Sequence, residues 1–478
     1  MRAAQTGTVT SNAARGRRDE AAMIIQTIII AIPGLIALFE CLRRGPEHAF
    51  LDVYLPVLLL VPEHSWPISG QLTFTDTAII PIAAFLLFRP KPKRQWSAID
   101  FLIIAYVAIT VIAEGMNKGY KLGSQNLAIQ EVVSILLPYF VAKQMFRHQQ
   151  FAVDFAKRIA VLLSIVAIVS VYEARMGSNL FTKLFDGTFP AIPNTTVFRA
   201  GFMRTQGPYG HAITLGVMMV MGFRIARWLE WNGAWKGPMY FLPISKIRFC
   251  ELCIAAGSMM SMSFSPLLAA ACGALFISVF RAKNRKRAVL SLVLLIVLFG
   301  GPIQTKFKNY VSVDPIVAQA SGDGLQQDSA YRNMLIPVYT PVVEERPTWG
   351  WGRNDFPVVN GMNSIDNAYL FTALTFGLYA LFLQAALFIW PAIRLAAFSL
   401  PFNRRDPRAL AAFSMIGIYV LNVVMDGTAA GGGAPWTLLL LITGWSAALL
   451  KATAPAVVEL KAVDAWPRTQ FGFGRVMV

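Results

Sequence analysis

The sequence predicts an all-α polytopic membrane protein, and three observations carry that reading. Of 478 residues, 55% are hydrophobic and only 14% charged, where an ordinary soluble chain carries about 25% charged residues. So few charges cannot cover the surfaces of several water-soluble domains. Apolar stretches recur from near residue 21 to near residue 450, which leaves no room for a separate large soluble domain. Lys and Arg gather in short runs between those stretches, the pattern of cytoplasmic loops. The net charge of +17 is therefore read as membrane orientation, and no nucleic-acid partner is expected.

The elements follow in order. Residues 1–20 form a polar cytoplasmic tail with Arg2, Arg15, Arg17 and Arg18, and the apolar run behind it lacks a small-residue cleavage site, so it is expected to be retained. Residues 21–301 read as an N-terminal transmembrane bundle, with spans expected at 21–42, 49–61, 76–88, 98–113, 127–142, 159–173, 211–226, 249–263, 264–280 and 288–301. A large outer loop, 302–366, precedes three more spans at 367–390, 409–425 and 435–450, and residues 451–478 form a cytoplasmic tail. Basic runs around Lys91–Arg94, Lys143–Arg158, Arg224–Arg248, Arg281–Arg287 and Arg394–Arg408 alternate correctly with this scheme. The N-terminal arginines fit only if 21–42 bends back at Pro33-Gly34 or 49–61 lies at the interface. The expected count is therefore twelve crossings, with thirteen as the alternative.

The 302–366 loop contains several prolines, mixed charge and a Trp-Gly-Trp-Gly. Loops of this length in compact proteins are commonly functional, and Tyr331 to Val343 is expected to form a short helix on the membrane surface. Soluble catalytic signatures are missing: there is no Walker A loop, Rossmann glycine pattern, H-E-x-x-H or G-x-S-x-G. No D-x-D pair stands in a loop, and four scattered histidines suggest no metal cluster. Cys250 and Cys253 form a C-x-x-C without a second pair, and they read as small helix residues.

Arginine on the outer side runs against the orientation bias and needs a reason. Arg204 lies in Arg204-Thr205-Gln206-Gly207-Pro208-Tyr209-Gly210-His211, either as a headgroup contact or as an anion site, since a guanidinium forks onto phosphate oxygens. Asp328-Ser329-Ala330-Tyr331-Arg332 opens the expected surface helix. In Trp349-Gly350-Trp351-Gly352-Arg353 the glycines permit tight turns and the tryptophans offer flat faces suited to sugar rings. Asp366-Asn367-Ala368-Tyr369-Leu370 leads into a span, where Asp366 reads as a helix cap, a catalytic group that orients or deprotonates the acceptor, or both.

Taken in order, Arg204-x-Gln206-Gly207-x-x-Gly210-His211, Tyr331-Arg332, Pro347-x-x-Gly350-x-Gly352 and Asp366-Asn367-x-Tyr369-Leu370 resemble the bacterial O-antigen ligase and polysaccharide polymerase superfamily. The layout matches nearly end to end. The resemblance implies a GT-C-like fold of about a dozen spans in the bacterial inner membrane, with a large periplasmic loop containing short helices. It also implies an inverting, metal-independent glycosyltransferase that needs no cofactor and uses a glycan on undecaprenyl pyrophosphate. Arg204 and Arg332 fall where the family's arginines hold the lipid pyrophosphate, and with Asp366 they are the expected catalytic residues. Gln206, His211, Tyr331, Gly350, Trp351, Gly352, Arg353, Asn367 and Tyr369 are expected to bind substrate. Membrane lipids and a chain-length regulator are further candidate partners.

The chain departs from the family in two places. Relatives commonly have His where Asp366 stands, and Ser-Arg-Gly where Ser263-Phe264-Ser265-Pro266 stands. The first departure tilts the expectation toward a polymerase, with a ligase acting on lipid A core as the alternative. A lipid-linked oligosaccharide flippase is the third reading, kept open by the intramembrane acids Glu131, Glu173, Glu251 and Asp426. The sequence does not specify the sugar, the linkage or the oligomeric state.

Overall fold

The computed structural model describes residues 5–62, 72–89, 96–117, 121–189, 198–199, 202–239, 242–284, 324–353, 355–362, 364–428 and 432–451, with scattered residues between 287 and 301. The first third of the 302–366 loop and the C-terminal tail beyond residue 451 lie outside the described residues, and the expected span 288–301 is described only in part.

The chain opens with α1 (Gln5–Arg43). Of the two alternatives for the N-terminal region, the reversal at Pro33-Gly34 is not made: this helix continues through both residues. Proline removes one ladder donor, and Thr77 Oγ1 donates to the neighbouring Ile30 carbonyl at 2.8 Å. Gly34 lets the helices touch: a Cβ there would lie 2.8 Å from the Thr77 carbonyl oxygen. After a sharp turn, α2 (Pro46–Ala49) passes through a π-helical turn (Phe50–Tyr54) into α3 (Leu55–Leu60). Then come α4 (Phe74–Phe88) and α5 (Ala98–Met116), both opened by capping boxes, at Thr73/Asp76 and Ser97/Asp100. A second π-helical turn (Val132–Leu136) joins α6 (Lys121–Glu131) to α7 (Leu137–Met145).

The long α8 (Gln149–Met176) is followed by α9 (Leu180–Lys183) and a hairpin of β1 (Phe198–Arg199) and β2 (Phe202–Met203). Helix α10 (Ala212–Trp231) leads through a second hairpin, β3 (Pro238–Met239) and β4 (Leu242–Ser245), to α11 (Lys246–Met260) and α12 (Phe264–Arg281). The last four helices are α13 (Gly324–Glu345), α14 (Ala368–Ser399), α15 (Pro407–Asp426) and α16 (Gly433–Lys451). All four cysteines are free and sit in α1, α11 and α12, as expected of small helix residues.

Among the described residues, eight helices are long and apolar enough to cross a membrane: Met23–Arg43, Ala98–Met116, Gly123–Met145, Ala212–Trp231, Phe264–Arg281, Ala368–Ser399, Pro407–Asp426 and Gly433–Lys451. The protein is a multi-pass membrane protein, but the expected twelve crossings are not reached among these residues. Expected spans 49–61 and 249–263 form short or interrupted helices, and 76–88 gives a shorter apolar helix. Outward-facing Leu35, Phe101, Ile168, Phe382 and Ile389 are exposed, as side chains facing lipid should be. Helices α10 and α15 are the most enclosed. Their Leu215, Met218, Phe413 and Tyr419 centre the main apolar core.

Candidate functional site

Helix direction gives the bundle two ends. The loops 204–211 and 347–367 meet at one of them, with the starts of α10, α12, α14 and α16 and the ends of α8, α11 and α15. The stretch from Arg204 to His211 is fastened before it enters α10. Gly207 and Gly210 hold φ of +57° and +69°, the left-handed region that lets the chain turn sharply. The fully buried Glu173 carboxylate of α8 accepts from the Gln206 N–H at 2.9 Å and the Gly207 N–H at 3.0 Å. Asn179 donates to Glu173 at 3.3 Å and to the Gly207 carbonyl at 2.7 Å. The Thr205 N–H donates to the Met260 carbonyl and the Tyr209 hydroxyl to the Leu59 carbonyl. Both carbonyls belong to last turns of helices, where no intrahelical donor exists.

This framework sets two expected site residues. Arg204 Nη2 donates to Ser263 Oγ at 2.9 Å, so the first residue of the departing Ser263-Phe264-Ser265-Pro266 stretch is the arginine's partner. Sequence reasoning had given Ser263 no role. His211 is the N-cap of α10, its Nδ1 accepting from the Ile213 N–H at 3.2 Å.

The second loop builds its own small core. The expected helix from Tyr331 to Val343 extends in both directions as α13, and its Leu335, Tyr339 and Val342 pack on Met362, Ile365 and Leu374. The Tyr331 hydroxyl donates to the Ser364 carbonyl at 2.7 Å, and Ser364 Oγ donates to Asp366 at 2.6 Å. Burial pushes the Tyr331 hydroxyl above the usual tyrosine range, which keeps it a donor at neutral pH. Arg332 Nε is buried with no hydrogen-bond partner among the described residues. The cap of α14 is Asn367 rather than Asp366: its side chain accepts from the Leu370 N–H at 3.0 Å and donates to the Gly427 carbonyl at 3.3 Å. Tyr369 donates to the Val423 carbonyl at 3.1 Å. Asn367 and Tyr369 thus tie the start of α14 to unpaired carbonyls at the end of α15.

The Trp-Gly-Trp-Gly, expected as a sugar platform, has a structural role as well. Helix α14 is broken at Gly377, with φ 84° and ψ 178°. The Trp351 and Gly352 N–H groups donate to the Leu374 and Thr375 carbonyls at 2.8 and 2.9 Å, and the Leu378 N–H donates to the Pro347 carbonyl at 2.7 Å. The loop thereby satisfies the backbone groups that the break exposes. A Cβ on Gly350 would meet Leu374 and Thr375 backbone atoms at 2.6 Å, so glycine is needed for this approach. Trp351 donates Nε1 to the Val342 carbonyl and carries the Arg346 guanidinium over its ring at 4.1 Å. Trp349 packs beside Tyr379.

Packing brings His211 and Asp366, far apart in sequence, into one cavity of about 340 Å³ that Asn422, Asp426 and Trp436 also line. Asp426 accepts from Gln384 Nε2 at 3.0 Å. A deeper cavity of about 560 Å³ shares Thr214, Gly432 and Trp436 with the first and is lined by Asp76, Gln130, Glu131 and Arg353. Arg353 Nε stands 3.4 Å from Glu114 and its Nη1 donates to Gln130 at 3.2 Å. Neither Arg204 nor Arg332 lines either cavity. Among the described residues no group of three or more His, Cys, Asp or Glu is placed to hold a metal ion. Asn422, Trp436 and Gln384 carried no sequence signal, and Asp426 stood out only as an intramembrane acid.

Residues 250–385 match the O-antigen ligase family. The match supports the O-antigen ligase and polymerase superfamily for this chain, and with it a membrane function of ligase or polymerase type. The O-antigen ligase match contains Ser263, Arg332, the Trp-Gly-Trp-Gly, Asp366, Asn367, Tyr369 and the break at Gly377; Arg204 and His211 precede it. No curated protein matches the chain.

Proposed function

We propose that the protein polymerises glycan repeat units from an undecaprenyl-pyrophosphate donor at the periplasmic face of the bacterial inner membrane. The observation that carries this is the shared cavity of His211 and Asp366, two residues of the family-like motifs. An acceptor hydroxyl attacks the anomeric carbon, the new C–O bond forms as the bond to pyrophosphate breaks, and configuration inverts. Asp366, or His211 across the cavity, takes the hydroxyl proton. Negative charge grows on the departing pyrophosphate, and Arg204 and Arg332 stabilise it as fixed guanidinium groups. Arg204 is held in place by Ser263, and the helix carrying Arg332 is anchored through Tyr331 two residues from Asp366.

A ligase is the second reading, and His211 favours it: this imidazole lines the same cavity as Asp366, which stands where relatives commonly have histidine. Purified protein in bilayers, given lipid-linked repeat units alone, yields a ladder of longer lipid-linked glycans if it polymerises. Product only after lipid A core is added identifies a ligase. No product with either acceptor, while labelled donor crosses the bilayer, would overturn both in favour of a flippase. Arg204→Ala and Arg332→Ala are each expected to lower turnover by about 10²–10³ at equal protein level, and turnover should be insensitive to a chelator.

A further inference from the structure

The other end of the bundle carries a second charged cavity that glycan transfer does not use. Helix α10 starts at the glycan site and ends near Trp231; α12 starts beside Ser263 and ends at Arg281; α14 starts at Asn367 and leads to Arg404. At these far ends a cavity of about 590 Å³ is lined by five arginines, Arg224, Arg227, Arg281, Arg404 and Arg405, together with Trp231. Among the described residues no acid lines it. Arg227 is ion-paired with Glu230 and Glu251, whereas no ion pair joins Arg224, Arg281, Arg404 or Arg405 to a carboxylate among the described residues.

Arg224 is the informative residue. It is 8% exposed; one guanidinium nitrogen donates to the Ala270 carbonyl at 2.8 Å, and its Nε is buried with no hydrogen-bond partner among the described residues. A buried guanidinium with an unused donor is costly unless an acceptor arrives. Arg281 lies over the Trp231 ring at 4.0 Å, which holds its charge at the rim. The close approach of α12 to α15 fixes the wall: a Cβ on Gly273 would lie 2.7 Å from the Gly417 carbonyl oxygen. Clustered guanidiniums with unfilled donors suit a phosphate group, which accepts several charge-assisted hydrogen bonds at once.

We propose that this cavity binds a phosphate group, at the end of the bundle opposite the glycan site. Its source is the headgroup of an anionic phospholipid or a soluble phosphate, and the test separates them. Full-length protein is purified into phosphatidylcholine bilayers doped with cardiolipin, and bound lipid is counted by native mass spectrometry. Wild type is expected to retain cardiolipin over phosphatidylcholine. Arg281→Gln/Arg405→Gln should weaken retention about 30-fold, roughly fivefold per charge, while Arg394→Gln, on a helix face outside the cavity, should leave it intact. If cardiolipin is not retained but millimolar pyrophosphate raises the melting temperature of wild type and not of the double variant, the site takes a soluble phosphate. Equal loss from Arg394→Gln, or no response to either probe, would overturn the proposal. The readouts are binding and melting, so the result is independent of whether glycan transfer is observed.

Discussion

At the end of the bundle that carries His211 and Asp366, carboxylates are held largely by backbone amides and neutral side chains. At the opposite end they meet arginines and lysines. Glu173 accepts from two backbone N–H groups and Asn179, Asp426 from Gln384, and Asp366 from Ser364. Across the bundle, Asp100 is clamped by Lys143 and Tyr139, Asp52 by Arg158 and Arg44, and Glu230 by Arg227 and Arg248. The first arrangement leaves Arg332 without a carboxylate salt bridge among the described residues, while Arg353 is paired to Glu114. A guanidinium without a carboxylate keeps its field for an anionic substrate, whereas a paired one is largely neutralised. The difference teaches that one end is arranged to accept charge from outside and most of the other to anchor helices, the arginine cavity aside.

Experiments can break or sharpen this contrast. The largest effect is expected at Gly377→Ala. Its φ of +84° is unfavourable for alanine, and the added Cβ would lie 2.2 Å from the Thr348 carbonyl oxygen, so a loss of about 4 kcal/mol is expected. A melting temperature equal to wild type would show that the helix break and its loop do not hold each other. Asp366→Asn should lower turnover by about 10² or more with little change in melting, and wild-type turnover would remove Asp366 from the chemistry.

Glu173→Gln replaces one acceptor oxygen with an amide facing a backbone N–H, at a cost of about 2 kcal/mol; turnover should fall with it because Arg204 and His211 ride on the anchored loop. Arg346→Ala uncovers the Trp351 ring and should cost about 1 kcal/mol. Smallest of all, Arg248→Ala removes an exposed partner of Glu230 and should shift stability by less than about 0.5 kcal/mol with turnover intact. A large effect there would mean that the basic end is more than an anchor.

Much of this architecture was legible without coordinates, because hydropathy and charge runs are additive along the chain. The superfamily was legible too, from motifs in order along the chain, and the family match at 250–385 supports it. What failed has local causes. The alternative of a bend at Pro33-Gly34 is not taken: α1 runs on through both residues with Thr77 of α4 bonded to the Ile30 carbonyl, and no property of residues 33 and 34 reports that neighbour. Residues 349–352 did not announce a backbone role, because flat rings in an outer loop draw attention to their side chains. The structure uses the segment's backbone to patch α14 at Gly377, and a single glycine in an apolar span gives no warning of a break.

The sequence by itself therefore determined that the chain lies in a membrane, that its basic runs alternate with its spans, and that its unusual residues fall in two loops. Only the tertiary structure decided that His211, Asp366 and Asp426 share a cavity and that Ser263 is a partner of Arg204. It likewise gathered five arginines at the far ends of α10 and α12 and in the loop after α14. The physical reason is that composition and periodicity act through near neighbours in the chain, whereas a site is made where helices distant in sequence end at the same depth.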